Sequence, residues 1–213
     1  MTTATGEMSP SLPYPVTLDV QRPDQSSRLL NFPLGIGTLI RGILLIPHLI
    51  ILYFLQLVAG IVYLIATFAI LFTGRYPRGL FNFYVGYTRW TSNVYGYLVG
   101  VYDKYPPFSM EPQAGYPLSF NAEYPDSHSR ILNFPLFIGL IIKLVLLIPH
   151  LIVVYFLILV AFVVLFIAQF AILFTGSFPA GMHGFMVGVG RWSTRVNAYA
   201  YALTDKYPPF SMS

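Results

Sequence analysis

Residues 47–72 read PHLIILYFLQLVAGIVYLIATFAILF, and residues 149–174 return to the same run as PHLIVVYFLILVAFVVLFIAQFAILF. Neither stretch contains an Asp, Glu, Lys or Arg. As helix, each 26-residue run reaches about 39 Å, more than a hydrocarbon core of about 30 Å requires. Water is a poor solvent for such surfaces, so lipid is expected around them. The rest of the chain agrees: 213 residues, 56% hydrophobic, 9% charged, mean hydropathy +0.66, where soluble domains are about a quarter charged. The fold class expected is an all-α membrane protein.

Composition removes several chemistries. With no cysteine, disulfides, iron–sulfur clusters, covalently attached c-type haem and thiolate-bound zinc are excluded. The net charge of +4, from 12 basic against 8 acidic residues, is spread thinly, which suits anionic lipid headgroups and not nucleic acid. Residues 1–13 form a polar tail with neither the basic start nor the apolar run of a signal or anchor.

Outward from the two runs, the chain is one unit written twice. Residues 14–110 align on 116–212 without a gap, and about 54 of the 97 positions are identical, which marks a tandem duplication. The expected organisation is a first membrane repeat at 14–110, a linker at 111–115 and a second membrane repeat at 116–213. Each copy opens with alternating apolar and polar residues, Val16 to Gln21 and Leu118 to Glu123, expected to form a short strand. A lone strand leaves unpaired backbone groups, so the two are expected to pair as a small β-ribbon outside the bilayer, the copies related by a pseudo-two-fold along the membrane normal. Pro47 is expected to break the following helix, leaving 33–46 at the interface and 47–72 crossing, with Gly74 and Gly176 as stops. A second helix in each copy, 80–102 and 182–204, is long enough to cross again. This gives two tandem repeats of two transmembrane helices each, four spans in all, with interfacial helices, both copies in one orientation and cytoplasmic termini.

Candidate functional residues are few. Arg89–Trp90 and Arg191–Trp192 share the pattern Val-Gly-x-x-Arg-Trp. Either the guanidinium grips a lipid phosphate or a partner's carboxylate while the indole sets depth, or the arginine pairs inside its own fold with Asp103, Asp205 or helix-end carbonyls. Arg75 and Arg78 give the first inter-helix loop a basic character suited to headgroups. Asn93, Gly96, Gly100, Ala198 and Ala202 recur at helical spacing, a small-residue face for helix packing. His48 and His150 follow proline at a helix start, where imidazole can ligate haem or chlorophyll or simply bond locally. His128 and His183 have no histidine counterpart and are read as surface residues. No phosphate loop, HExxH helix, nucleophile elbow or paired-carboxylate site is present, so no enzyme, metal or cofactor is expected.

The segments LIPHLI (45–50), FAILFTGRYPRGLF (68–81), VGYTRW (85–90) and DKYPPFS (103–109) resemble the bacterial membrane family called domain of unknown function 4389. The resemblance implies a bacterial integral membrane protein and brings no activity or catalytic residue. The second copy departs from it at Ser177, Ala180 and His183. The leading expectation is a non-catalytic accessory or scaffold subunit of the cytoplasmic (inner) membrane, multi-pass, binding lipids and other integral membrane subunits through its packing faces. Two other classes stand beside it: a small transporter or channel with its path at the repeat interface near Arg89 and Arg191, and a haem or chlorophyll carrier through His48 and His150.

Overall fold

The computed structural model describes residues 14–213; the tail at 1–13 lies outside the described residues. In chain order the elements are strand β1 (Val16–Val20), helices α1 (Ile36–Leu44), α2 (Ile46–Thr73) and α3 (Arg78–Leu98), strand β2 (Leu118–Ala122), and helices α4 (Ile138–Thr175) and α5 (Ala180–Ala200). The fold is helical with a small two-stranded sheet.

The two strands pair antiparallel, Val16 opposite Ala122 and Val20 opposite Leu118. Their period of two puts Val16, Leu18, Leu118 and Phe120 on a buried face and leaves Asp19, Ser119 and Asn121 exposed. Each strand packs on the other repeat's second helix, β1 on α5 and β2 on α3. The exchange continues past the strands. Tyr124 meets the Phe81 ring edge-on at 5.1 Å, and the His128 N–H donates to the Gly74 carbonyl at 2.8 Å. In mirror fashion the Ser26 N–H donates to the Gly176 carbonyl at 2.8 Å.

These contacts set the helix directions. The end of α2, at Gly74, lies against the loop leading into α4, and the end of α4, at Gly176, lies against the loop leading into α1. The helices α2 and α4 therefore run in opposite senses. So do α3 and α5, since Tyr84 near the start of α3 lies against Tyr201 just past the end of α5. The pseudo-two-fold is perpendicular to all four. The expected common orientation of crossing helices is thus corrected: because the N-terminal segments are swapped, helices that crossed a bilayer here would cross in opposite directions.

Three layers result, with the ribbon on α3 and α5, and these on α2 and α4 respectively. Within a layer the helix backbones stay apart, α3 from α5 and α2 from α4, and side chains such as Tyr84 and Tyr201 bridge the gap. A cavity of about 630 Å³ occupies the space between the repeats.

The proline break differs between copies. In the first, helix geometry is interrupted at Leu45, between α1 and α2, yet Leu45 keeps a helical φ of −84° and its carbonyl still accepts from Leu49. In the second, α4 runs 38 residues straight through Pro149. A separate interfacial helix is therefore absent from the second copy. Gly42, where the second copy has Leu144, weakens the first copy's helix before the proline by about 1 kcal/mol. Both long helices stop as expected, at Gly74 (φ 71°) and Gly176 (φ 74°), in the left-handed conformation glycine adopts without a steric penalty.

One left-handed site is occupied differently in the two copies: Gly100 has φ 77° and its counterpart Ala202 has φ 61°. Ala202→Gly is expected to raise stability in detergent by about 0.5–1 kcal/mol, because the steric penalty of about 1–2 kcal/mol exceeds glycine's unfolded-state entropy. Gly100→Ala should destabilise, since its Cβ would stand 2.6 Å from Asn31 Oδ1. Thermal unfolding of the two variants checks both signs.

Candidate functional site

Three polar constellations recur in both copies, and each absorbs residues the sequence singles out. The first surrounds the histidines. His48 is fully buried at the start of α2; the Trp90 Nε1–H donates to its Nδ1 at 2.9 Å, and Phe108 stacks on the imidazole at 3.7 Å. The Tyr105 hydroxyl donates to the Leu44 carbonyl at 2.8 Å. His150 repeats this with Trp192 at 2.9 Å, Phe210 at 3.8 Å and the Tyr207 hydroxyl on the Leu146 carbonyl. The imidazole joins the start of the long helix, the middle of the next helix and the Tyr-Pro-Pro-Phe strap. With Nδ1 taken by an indole N–H and one ring face covered by phenylalanine, this is a packing joint.

The second constellation was not assembled from the sequence. Asp103 accepts from the Ser27 N–H and from Asn31 Nδ2, and forms an ion pair with Arg41. Arg41, 1% exposed, also donates to the carbonyls of Leu30, Tyr97 and Tyr102. In the second copy Asp205 accepts from the Ser129 N–H at 2.6 Å, Asn133 at 2.9 Å and Lys143 at 3.0 Å. The usable signal was alignment: a cation at equivalent positions 41 and 143 of an otherwise apolar segment, and an aspartate at 103 and 205. What spacing could not supply was that 62 residues of chain fold back to join them.

The third is the arginine pair. Arg89 donates to the carbonyls of Phe120 (3.1 Å) and Met110 (2.6 Å) and approaches Asn121 Oδ1 at 3.4 Å. Arg191 does the same to Leu18, Met212 and Asp19. Each guanidinium pins the strand of the other copy, so Arg89, Trp90, Arg191 and Trp192 serve contacts inside the fold, and Asp103 pairs with Arg41 instead of Arg89.

The small-residue face divides. At Gly96 a Cβ would meet the Tyr102 hydroxyl at 2.5 Å, and that hydroxyl donates to the Asn93 carbonyl at 2.8 Å. Gly96 and Asn93 thus receive a tyrosine, Gly100 provides a left-handed turn, and Ala198 and Ala202 are buried at the matching sites. Arg75 and Arg78 are exposed, with Arg78 stacked over the Tyr124 ring at 4.4 Å. His128 and His183 are buried, 6% and 4% exposed, which corrects their reading as surface residues. His128 donates its Nε2–H to the Ala202 carbonyl at 3.0 Å; it sits where the exchanged segments close over the helix ends, out of reach of any sequence periodicity.

A cavity between the repeats also has room for a ligand. Leu18, Val20 and Leu118 of the ribbon roof it, α3 and α5 form its sides, and Gln56, Gly60 and Tyr63 of α2 lie at its edge. Among the described residues no cluster of three metal-ligating side chains occurs.

Two repeats of long apolar helix, amphipathic helix and exchanged strand, with polar groups spent on internal joints, define a duplicated helical protein of membrane-like composition. The pattern of the family described as domain of unknown function (DUF4389) matches at residues 36–110 and again at 138–212, and the chain belongs to that family as a tandem duplication. No curated protein and no solved structure matches it.

Two predictions follow from the joints. Trp90→Phe leaves the buried His48 Nδ1 without its donor and should cost about 1–3 kcal/mol of unfolding free energy, read by denaturation in detergent. The second concerns pH. Burial lowers the His128 pKa from the ordinary 6.5. Burial pushes the Asp205 carboxyl up, but Lys143, Asn133 and the Ser129 N–H outweigh it and hold it below 3.8. In both cases the unfolded chain binds the proton more readily, so both contributions are complete above pH 6.5 and are lost as pH falls. The decline should begin below 6.5 and gain a second phase below 3.8. His128→Ser, the residue at equivalent position 26, should shrink the first phase in melting curves recorded across pH, leaving the share of other buried histidines such as His183, whose pKa burial also lowers.

Proposed function

We propose that the chain is a non-catalytic membrane protein that lies in one leaflet of the cytoplasmic membrane and acts as an accessory or scaffold subunit. The observation that carries this reading is the continuous exposed apolar surface of α2 and α4, which includes Phe54, Ile61 and Phe72 on one and Phe156, Phe162 and Phe174 on the other. Among the described residues these two helices are long and apolar enough to cross a membrane. Exposed apolar surface on this scale marks a lipid or protein contact.

Four crossings would carry α3 and α5 through hydrocarbon together with the ribbon laid on them. The exposed Asp19 and Glu123 would then face lipid at a cost of several kcal/mol each. Helix length points the same way: the 38 residues of α4 reach about 57 Å, nearly twice a hydrocarbon core. A helix lying in the plane has no such limit. With the pseudo-two-fold along the membrane normal, α2 and α4 lie side by side in the leaflet and the ribbon faces the cytoplasm. The exposed Arg28, Arg75, Arg78 and Arg130 then serve anionic headgroups.

The absence of cysteine makes the test direct. Arg78→Cys and Ala180→Cys mark equivalent exposed loops at opposite ends of the helix layer. A membrane-impermeant maleimide should label both from the cytoplasmic side of oriented vesicles; labelling from opposite sides would mean that α2 and α4 cross. For the accessory role, purification from native membrane in mild detergent should retain other integral membrane proteins at fixed ratio, and isolation of the chain alone would remove it.

A further inference from the structure

The two copies differ at the cavity in a way their shared fold does not require. Along α2, Gln56, Gly60 and Tyr63 stand where α4 has Ile158, Phe162 and Leu165. Steps of four and three place the first three on one helical face, and all three line the cavity between the repeats. Gln56 and Gly60 are exposed, and a Cβ on Gly60 would meet nothing within 4 Å. Phe162, by contrast, is a bulky side chain 65% exposed and does not line the cavity. The first copy therefore carries an opening on the apolar side of the molecule, where the second carries bulk.

Inside, the chemistry is uncharged. No Asp, Glu, Lys, Arg or His lines the cavity among the described residues. Hydroxyls do, from Thr88, Thr91 and Ser92 on α3 and Ser193 and Thr194 on α5, on otherwise apolar walls. Tyr63 is 3% exposed and its hydroxyl has no hydrogen-bond partner. An enclosed hydroxyl without a partner sacrifices a bond it would make in water, and a ligand oxygen restores it. The volume of about 630 Å³ lies in the range of small-molecule sites.

We infer that this cavity binds an uncharged amphiphile, drawn from the lipid phase past Gln56 and Gly60, with a hydroxyl- or carbonyl-bearing head held by Tyr63 and the threonine and serine hydroxyls and an apolar tail leaving toward the leaflet. A charged headgroup has no counter-ion there and bears the full desolvation cost. Gln56 stands at the mouth of this site with an amide able to hydrogen-bond an entering head. The inference rests on the seating of α2 and α4 in lipid.

The test is photo-crosslinking in liposomes with a diazirine-bearing monoacylglycerol, followed by peptide mapping. The wild-type chain should carry label on 54–63, 84–96 and 186–201. Gly60→Phe, which copies the second repeat and meets open space, should reduce that label roughly tenfold or more by filling the mouth with no change in melting temperature. Tyr63→Leu, also the second repeat's residue, should weaken it roughly two- to tenfold. Gly42→Leu, away from the cavity, should leave it unaltered. Competition by unlabelled monoacylglycerol and by a decyl-substituted benzoquinone, which has carbonyls and no hydroxyl, tells whether the head must supply a hydroxyl donor. Label confined to the outer faces of α2 and α4, or equal cavity label from a diazirine fatty acid, would overturn the site while leaving the seating intact. No label on either helix would remove the seating itself.

Discussion

A single extended strand with one apolar face cannot stand alone: its backbone groups need a partner and its side chains a surface. In this chain both needs are met by the other copy. Strand β1 pairs with β2 and lies on α5, while β2 lies on α3, and Arg89 and Arg191 each hold the strand that arrives from the opposite repeat. The helices of the two repeats barely meet within their layers, so the ribbon, its arginines and the loops capping Gly74 and Gly176 hold the halves together. The same exchange sets the antiparallel course of α2 and α4, and with it the wide apolar surface and the space between the repeats.

Within a copy, two joints lock a hairpin of long helix and amphipathic helix: the histidine on its tryptophan and the basic residue on its aspartate. They bury a histidine and an arginine or lysine and bring a half-buried aspartate onto the cation. Where the copies differ, the differences are correlated. Arg41 reaches three carbonyls beside its ion pair, while Lys143 in its place bonds Asn133 and Asp205. The accompanying left-handed turn residue is Gly100, beside the guanidinium, in the first copy and Ala202 in the second. Duplication left one architecture to be satisfied twice, and along the cavity Gln56, Gly60 and Tyr63 stand where the second copy has Ile158, Phe162 and Leu165.

Much was legible in the sequence because it is local or periodic. The apolar runs, the duplication, the alternation in both strands, the antiparallel pairing and the glycine stops at 74 and 176 all follow from neighbouring residues. The family motifs were recognisable, but their purpose was not. Arg89 offered a lipid grip and an internal partner as equals, and the internal partner came from a strand 31 residues away. His128 and His183 lacked counterparts and looked peripheral, yet the exchanged segments bury both. The polar stripe on α3 and α5 suggested helix contact, whereas it is divided between tyrosine insertion, strand pinning and the cavity wall.

Composition and spacing alone determined that the chain carries two copies of a unit, each with a long apolar helix and a short alternating strand. Only the tertiary structure decided which copy each strand completes, which charge neutralises which, and how the long helices are directed relative to one another. The reason is physical: an apolar period constrains one element against its surroundings, but a swapped segment and a cavity on a pseudo-two-fold depend on contacts between residues up to 192 positions apart, and no local pattern encodes those.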